Sequence, residues 1–399
     1  MRNIQVRFNT LILGTLAFTL FALTAQAQTF SLLYTFTGQA DGGHPFAGLV
    51  EDGAGNLYGT TGEGGSGTFC DSNCGTVFKL DTSDNETVLH SFGEASTDGE
   101  YPKYDSLVLD GVGNLYGTTG YGGIYSSGTI FRLSPTGKET VVPFNGEANG
   151  GFPYGGLIAT AAETAYGTTT LRGSGCAPYG CGTVFEVNST GNETVLYSFT
   201  GTPDGEYPYA GLVRDASGNL YGTTPYGGAF GAGTVFQVSA AGKETILYSF
   251  CSQSGCTDGQ TPYAGLVRDT SGNLYGTTLN GGTSGAGTVF QVSAAGQETV
   301  LHSFCSLNDC ADGQLPYAGL VRDSAGNLYG TTYQGGTDLH GTVFELDPTG
   351  KLTVLYSFTG GADGGNPWAG LLRDSDGNLY GTTYYGGADG FGTVFKIAP

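Results

Sequence analysis

The sequence predicts an all-β fold: a seven-bladed β-propeller of four-stranded antiparallel blades, its last blade closed by the N-terminal strand. Three observations predict it. The string Gly-Asn-Leu-Tyr-Gly-Thr-Thr, or a close variant, places a tyrosine at positions 58, 116, 166, 221, 275, 329 and 380, so one unit of about 54 residues recurs seven times. Each unit carries four short segments rich in Val, Leu, Tyr, Phe and Thr, separated by glycine-containing turns, a pattern that suits strands better than helices. The ends are out of phase with the repeat: residues 30–36 read as a fourth strand and residues 392–397 as a third. A ring closed by a shared strand explains this offset and hides both sheet edges, whereas an open β-solenoid needs no shared strand.

Composition agrees. The 399 residues include 73 glycines, without the every-third-residue period of collagen, and one methionine. So much Gly, Thr, Tyr and Phe disfavours a helical bundle. The balance of 35 acidic against 14 basic residues, net −21, argues against a nucleic-acid partner, which needs a concentrated basic surface.

Taken in order, residues 1–27 have the form of a secretory signal peptide: Arg2 and Arg7, an apolar run from Leu11 to Leu23, then Ala25-Gln26-Ala27 before a mature start near Gln28. The run is short for a membrane anchor, so no membrane span is expected after its removal. The propeller domain then covers residues 28–399. In the fourth copy the strands are expected at 209–215, 219–224, 233–239 and 244–250, with Gly218 and Gly242 supplying the left-handed turn residues of two hairpins.

The core string with its Gly-Gly and Gly-Thr-Val-Phe continuation, as at Gly272 to Thr278, Gly281-Gly282 and Gly287 to Phe290, resembles the repeat of the bacterial GloVer-type, choice-of-anchor family. The resemblance spans most of residues 30–397. It implies a secreted or surface-exposed protein of unsettled function, often carrying a C-terminal sorting segment; here the sequence ends at Pro399, directly after the last strand. The Gly-Leu-Val-Arg-Asp and Gly-Asn-Leu-Tyr strings are also similar to those of NHL-type propellers, which bears on fold alone.

In such a propeller the second-to-third and fourth-to-first connections share one face, and here they are the longer and more variable ones. A ligand is expected there. That face carries Asp41, Asp98, Asp204, Asp258, Asp312 and Asp363, each in Asp-Gly-x-x-Pro, with Asn149 in the third copy. Such acids suit calcium as a metal cofactor, or sugar hydroxyls; repetition in almost every blade equally suits a turn-initiating role. The aromatic residues of the long loops, Tyr226, Tyr333 and Tyr384 among them, and Trp368 in place of the usual Tyr or Phe after proline, suit a carbohydrate or protein surface. The tyrosines of the Tyr-Gly-Thr-Thr strand read as inter-blade packing with the hydroxyl tied to a neighbour.

Eight cysteines form four close pairs, Cys70 with Cys74, Cys176 with Cys181, Cys251 with Cys256 and Cys305 with Cys310, read as local disulfides in the long loops. No nucleophile–base spacing is present among the four histidines, so no catalytic residue is assigned. The reading is therefore a secreted, monomeric, non-catalytic module binding carbohydrate or protein at the cell surface. The alternative is an extracellular glycoside hydrolase or lyase that uses acids from separate blades.

Overall fold

The computed structural model describes residues 28–70, 74–103, 106–160 and 164–399. The expected signal peptide, and residues 161–163 of the divergent third copy, lie outside the described residues. Seven four-stranded antiparallel sheets follow one another along the chain, and the seventh takes its fourth strand from residues 29–35. Blades are numbered 1 to 7 from the first complete sheet, at residues 50–91.

Blade 4 shows how the sequence builds the unit. Its strands are Val213–Arg214, Leu220–Thr224, Thr234–Val238 and Glu244–Ser249. The second and third are buried almost throughout because both their faces meet neighbouring blades, so they lack the polar alternation of a half-exposed sheet. The third and fourth strands share an irregularity between Val235 and Phe236. The first strand is much shorter than the sequence suggested. Residues 209–212 line the central channel, and their polar groups turn to the preceding blade, where the Ala210 carbonyl accepts the Thr168 hydroxyl at 3.0 Å.

The core lies between blades rather than within them. Seven buried clusters each combine residues of adjacent blades, such as Phe36 and Val394 of blade 7 with Leu49, Leu57, Phe78 and Leu80 of blade 1. At each junction the phenylalanine ending one fourth strand meets the third-strand phenylalanine of the next blade edge to face, with centroids 4.9–5.2 Å apart. This ring explains the glycine of Tyr-Gly-Thr-Thr: a Cβ on Gly222 would sit 2.6 Å from Cζ of Phe236.

The two threonines have separate tasks. The first donates across the junction, as Thr223 Oγ1 does to the Ala264 carbonyl at 2.8 Å; the second bonds the third strand of its own blade, as Thr224 does with Thr234 at 2.8 Å. Closure repeats both devices, since Thr382 reaches the Ala47 carbonyl and Thr383 bonds Thr393 at 2.8 Å, and the shared strand adds the pairing of Thr29 with Ala398. Phe30 adds a stack on Tyr356 at 4.0 Å.

Candidate ligand-binding face and central channel

The first strands converge on a central channel with a cavity of about 500 Å³, lined by residues of all seven blades. Its lining follows from Pro-Tyr-Ala-Gly-Leu: small residues and leucines face the lumen, and the aromatic after proline stands at its mouth. Tyr154, Tyr209, Tyr263, Tyr317, Trp368 and Phe46 form a continuous arc, with successive centroids 5.6, 5.0, 5.9, 4.1 and 5.6 Å apart. Tyr317 and Trp368 are stacked, with an interplanar angle of 20°.

A second tier comes from the second-to-third loops. Tyr121 hydroxyl accepts a hydrogen bond from Tyr154 at 3.0 Å, and the Tyr226 and Tyr263 hydroxyls meet at 3.2 Å. Tyr333 lies 5.2 Å from Trp368, and Tyr384 lies 4.4 Å from Phe46. The structure therefore brings Tyr226, Tyr333, Tyr384 and Trp368 into one rim. The sequence reading singled out Trp368 but missed the five aromatics at equivalent positions; their recurrence after proline was the available signal. Burial pushes the phenols of Tyr263, Tyr317, Tyr333 and Tyr384 upward, so they remain protonated hydrogen-bonding groups. At blade 2, the Lys103 amine sits 4.9 Å over the Phe46 ring, and burial depresses its pKa.

Pairing between the long loops holds this rim. In blade 4, residues 205–206 pair with 226–227, and in blade 2, residues 99–100 pair with 121–122. Single bridges do the same in the other five blades, as Gln260 does with Asn280. The disulfides Cys70–Cys74, Cys176–Cys181, Cys251–Cys256 and Cys305–Cys310 all form within long loops.

The six aspartates are placed differently. They sit at the outer ends of the blades, each spent on its own turn. Asp41 accepts from Tyr34 hydroxyl and Thr37 N–H, Asp204 from Tyr197 and Thr200, Asp258 from Tyr248 and Ser252, and Asp363 from Tyr356 and Thr359. Asp98 accepts the Gly93 and Gly99 N–H groups, and Asp312 is 3.0 Å from both His302 Nε2 and Ser306 N. Each belongs to a junction niche with the first residue of the next blade's fourth strand. In five niches that residue is a glutamate, Glu86, Glu139, Glu193, Glu244 or Glu298, and burial pushes the carboxyls of Glu86, Glu193, Glu244 and Glu298 up to about 7. Nearby Asp41, Asp204 and Asp258 reinforce the shift of Glu86, Glu244 and Glu298, whereas Asn149 opposes that of Glu193 by donating to it.

A model of the Gloeobacter/Verrucomicrobia repeat matches residues 17–177, 174–311 and 306–399. The chain belongs to the Gloeobacter/Verrucomicrobia repeat family. No curated protein matches it. Among solved structures, this repeat protein is similar in fold to a candidate 6-phosphogluconolactonase from Bacteroides uniformis, at 15% identity and TM-score 0.51, covering 82% of this chain and 88% of that one. It is also similar to a puromycin hydrolase mutant complexed with PGG, at 13% identity and TM-score 0.54, covering 88% of this chain and 52% of that one.

The family's Tyr-Gly-Thr-Thr tyrosines lie on the opposite, short-turn face, and the sequence identified half of their environment. In blade 4 the Tyr221 hydroxyl donates to Asp215 at 2.9 Å, and Asp215 also accepts from Ser217 N, Asn219 N and Asn219 Nδ2. Burial works against the charge on Asp215, but these bonds outweigh it and hold the carboxyl below its ordinary range. The divergent third repeat has Thr160 in place of this aspartate. The other half is a cation over each ring. Arg214, Arg268, Arg322 and Arg373 lie 5.6 Å over the tyrosine of the preceding blade; Lys79, Arg132 and Lys396 serve the remaining three from the adjacent third strand.

Proposed function

We propose that this protein is an exported, non-catalytic carbohydrate-binding module that takes a saccharide at the aromatic rim of its central channel. The observation that carries this reading is the arc from Tyr154 to Phe46 around a cavity of about 500 Å³. Aromatic faces pack against the C–H surfaces of sugar rings, and protonated phenols at the edge exchange hydrogen bonds with hydroxyls. Loop pairing and four disulfides supply preorganisation, which lowers the ordering cost of binding. The leader-like first 27 residues and the disulfides support export.

Trp368 is the single tryptophan of the chain and lies on the rim, so its fluorescence reads the proposed site directly. Protein recovered from the culture medium, beginning near Gln28, is screened on a glycan array, and the best hit is titrated by fluorescence. A saturable change in Trp368 emission is expected, with affinity reduced about 10-fold by Tyr317→Ala. A hit whose binding leaves both the emission and the Y317A affinity unaltered places recognition elsewhere; turnover of the glycan identifies an enzyme instead.

A further inference from the structure

Among the described residues, one group of three side chains brings metal-ligating atoms together: His90, Asp98 and Glu139. It occupies the junction niche between blades 1 and 2, at the outer end of the fold and apart from the aromatic rim. His90 is the penultimate residue of the fourth strand of blade 1, Asp98 lies in the following loop, and Glu139 opens the fourth strand of blade 2. His90 Nε2 is 3.5 Å from Asp98 Oδ2 and 3.5 Å from Glu139 Oε1. His90 Nε2 and Glu139 Oε1 are buried and have no hydrogen-bond partner among the described residues. A cavity of about 390 Å³ adjoins them.

The other niches show what this arrangement is not. In the niche of Tyr34, Asp41 and Glu86, a tyrosine stands where His90 does and donates to the aspartate at 3.1 Å. In the niche of His302 and Asp312, Leu352 stands where Glu139 does, and the imidazole closes onto the aspartate at 3.0 Å. Only the blade 1–2 niche combines the histidine with both acids, and there the imidazole is held equally far from each carboxylate. Two donors, each about 2.1 Å from a tetrahedral ion, are about 3.4 Å apart, which the separations of His90 from its two neighbours match. A divalent ion also balances the buried carboxylate of Asp98 and the partly buried one of Glu139, which lie within 4.8 Å of one another.

We propose that His90, Asp98 and Glu139 form a binding site for one divalent transition-metal ion, with a remaining coordination position open to water or to a ligand group. The imidazole donor favours zinc, or cobalt, nickel and copper beside it in the series, over calcium, which takes oxygen ligands. Asp98 is already fixed by the Gly93 and Gly99 N–H groups, which orient its carboxylate as second-layer partners do in metal centres.

The test uses the full chain, stripped with chelator, titrated calorimetrically with zinc and followed by absorption with cobalt(II). One equivalent is expected, with visible cobalt bands of a four- or five-coordinate site. His90→Tyr and Glu139→Leu each recreate a combination that this chain already accommodates at another junction, so both should fold. Each is expected to weaken zinc binding at least about 100-fold and to abolish the cobalt bands. Absence of stoichiometric uptake by the unaltered protein overturns the proposal, and so does uptake that survives in both variants.

Discussion

At the residue scale, the seven repeated tyrosines show how a repeat protein keeps one interaction while changing the residue that supplies it. Tyr221 takes its cation from Arg268 of the following blade, whereas its own cross-strand partner is the neutral Gln237. Where the following blade has Leu109, Ala159 or Glu51 at the arginine position, the tyrosine's own cross-strand partner is Lys79, Arg132 or Lys396. Placing a cation at either position covers the ring face. Arg268→Leu is therefore expected to cost about 1 kcal/mol, measured by denaturant unfolding. Adding Gln237→Lys should recover most of it; a double variant no more stable than the single one would show that the arginine acts through something other than Tyr221.

At the element scale, the shared strand bears the greatest burden. Residues 29–35 complete the last sheet, bring Phe36 to the edge of Phe78 and place Phe30 on Tyr356. Removing residues 30–36 opens an inter-blade core and leaves the third strand of blade 7 as an unpaired edge. The expected outcome is loss of cooperative unfolding and a tendency to aggregate, seen by calorimetry and light scattering. A truncated chain melting like the intact one would contradict closure as the source of stability. This strand was legible in the sequence because the phase offset between the ends is a property of order alone. The first strands were less so: Tyr209 to Leu212 have strand composition, but their partners across the lumen and the junction cannot be read from local pattern. The aromatic rim was half legible for the same reason. Tyr226 stands out as a loop residue, whereas Tyr263 looks like one more strand residue until the ring is closed.

For the whole molecule, the junction glutamates set the response to pH. In the unfolded chain Glu86, Glu193, Glu244 and Glu298 have an ordinary value of 4.5, and in the folded protein burial pushes them up to about 7. Between these values the folded state holds protons that the unfolded state has lost, so stability falls as pH rises through about 7. The short-turn aspartates act in the opposite sense. Asp52, Asp110, Asp215, Asp269, Asp323 and Asp374 are held below their ordinary 3.8, and their stabilisation is lost as pH falls below it. Thermal melts should therefore show a maximum near pH 4 to 5 and a lower melting temperature at pH 8. Glu244→Gln should flatten the alkaline side of that profile; an unchanged slope would mean that the niches relax to hydrate the carboxylate.

The movable cation also gives the ring an address system. Blades 4, 5 and 6 each bring an arginine to the blade before, where the tyrosine's own cross-strand partner is Glu186, Gln237 or Gln291 and carries no cation, so copies within this run remain interchangeable. Blade 1 is different, because it carries Glu51 at the arginine position, within electrostatic reach of Lys396 across the closure. Transplanted behind blade 5, it would set Glu51 beside Gln291 and leave Tyr275 with no cation. Seven units that look alike in sequence are thus not all exchangeable, and the order of blades around the ring is partly written in charge.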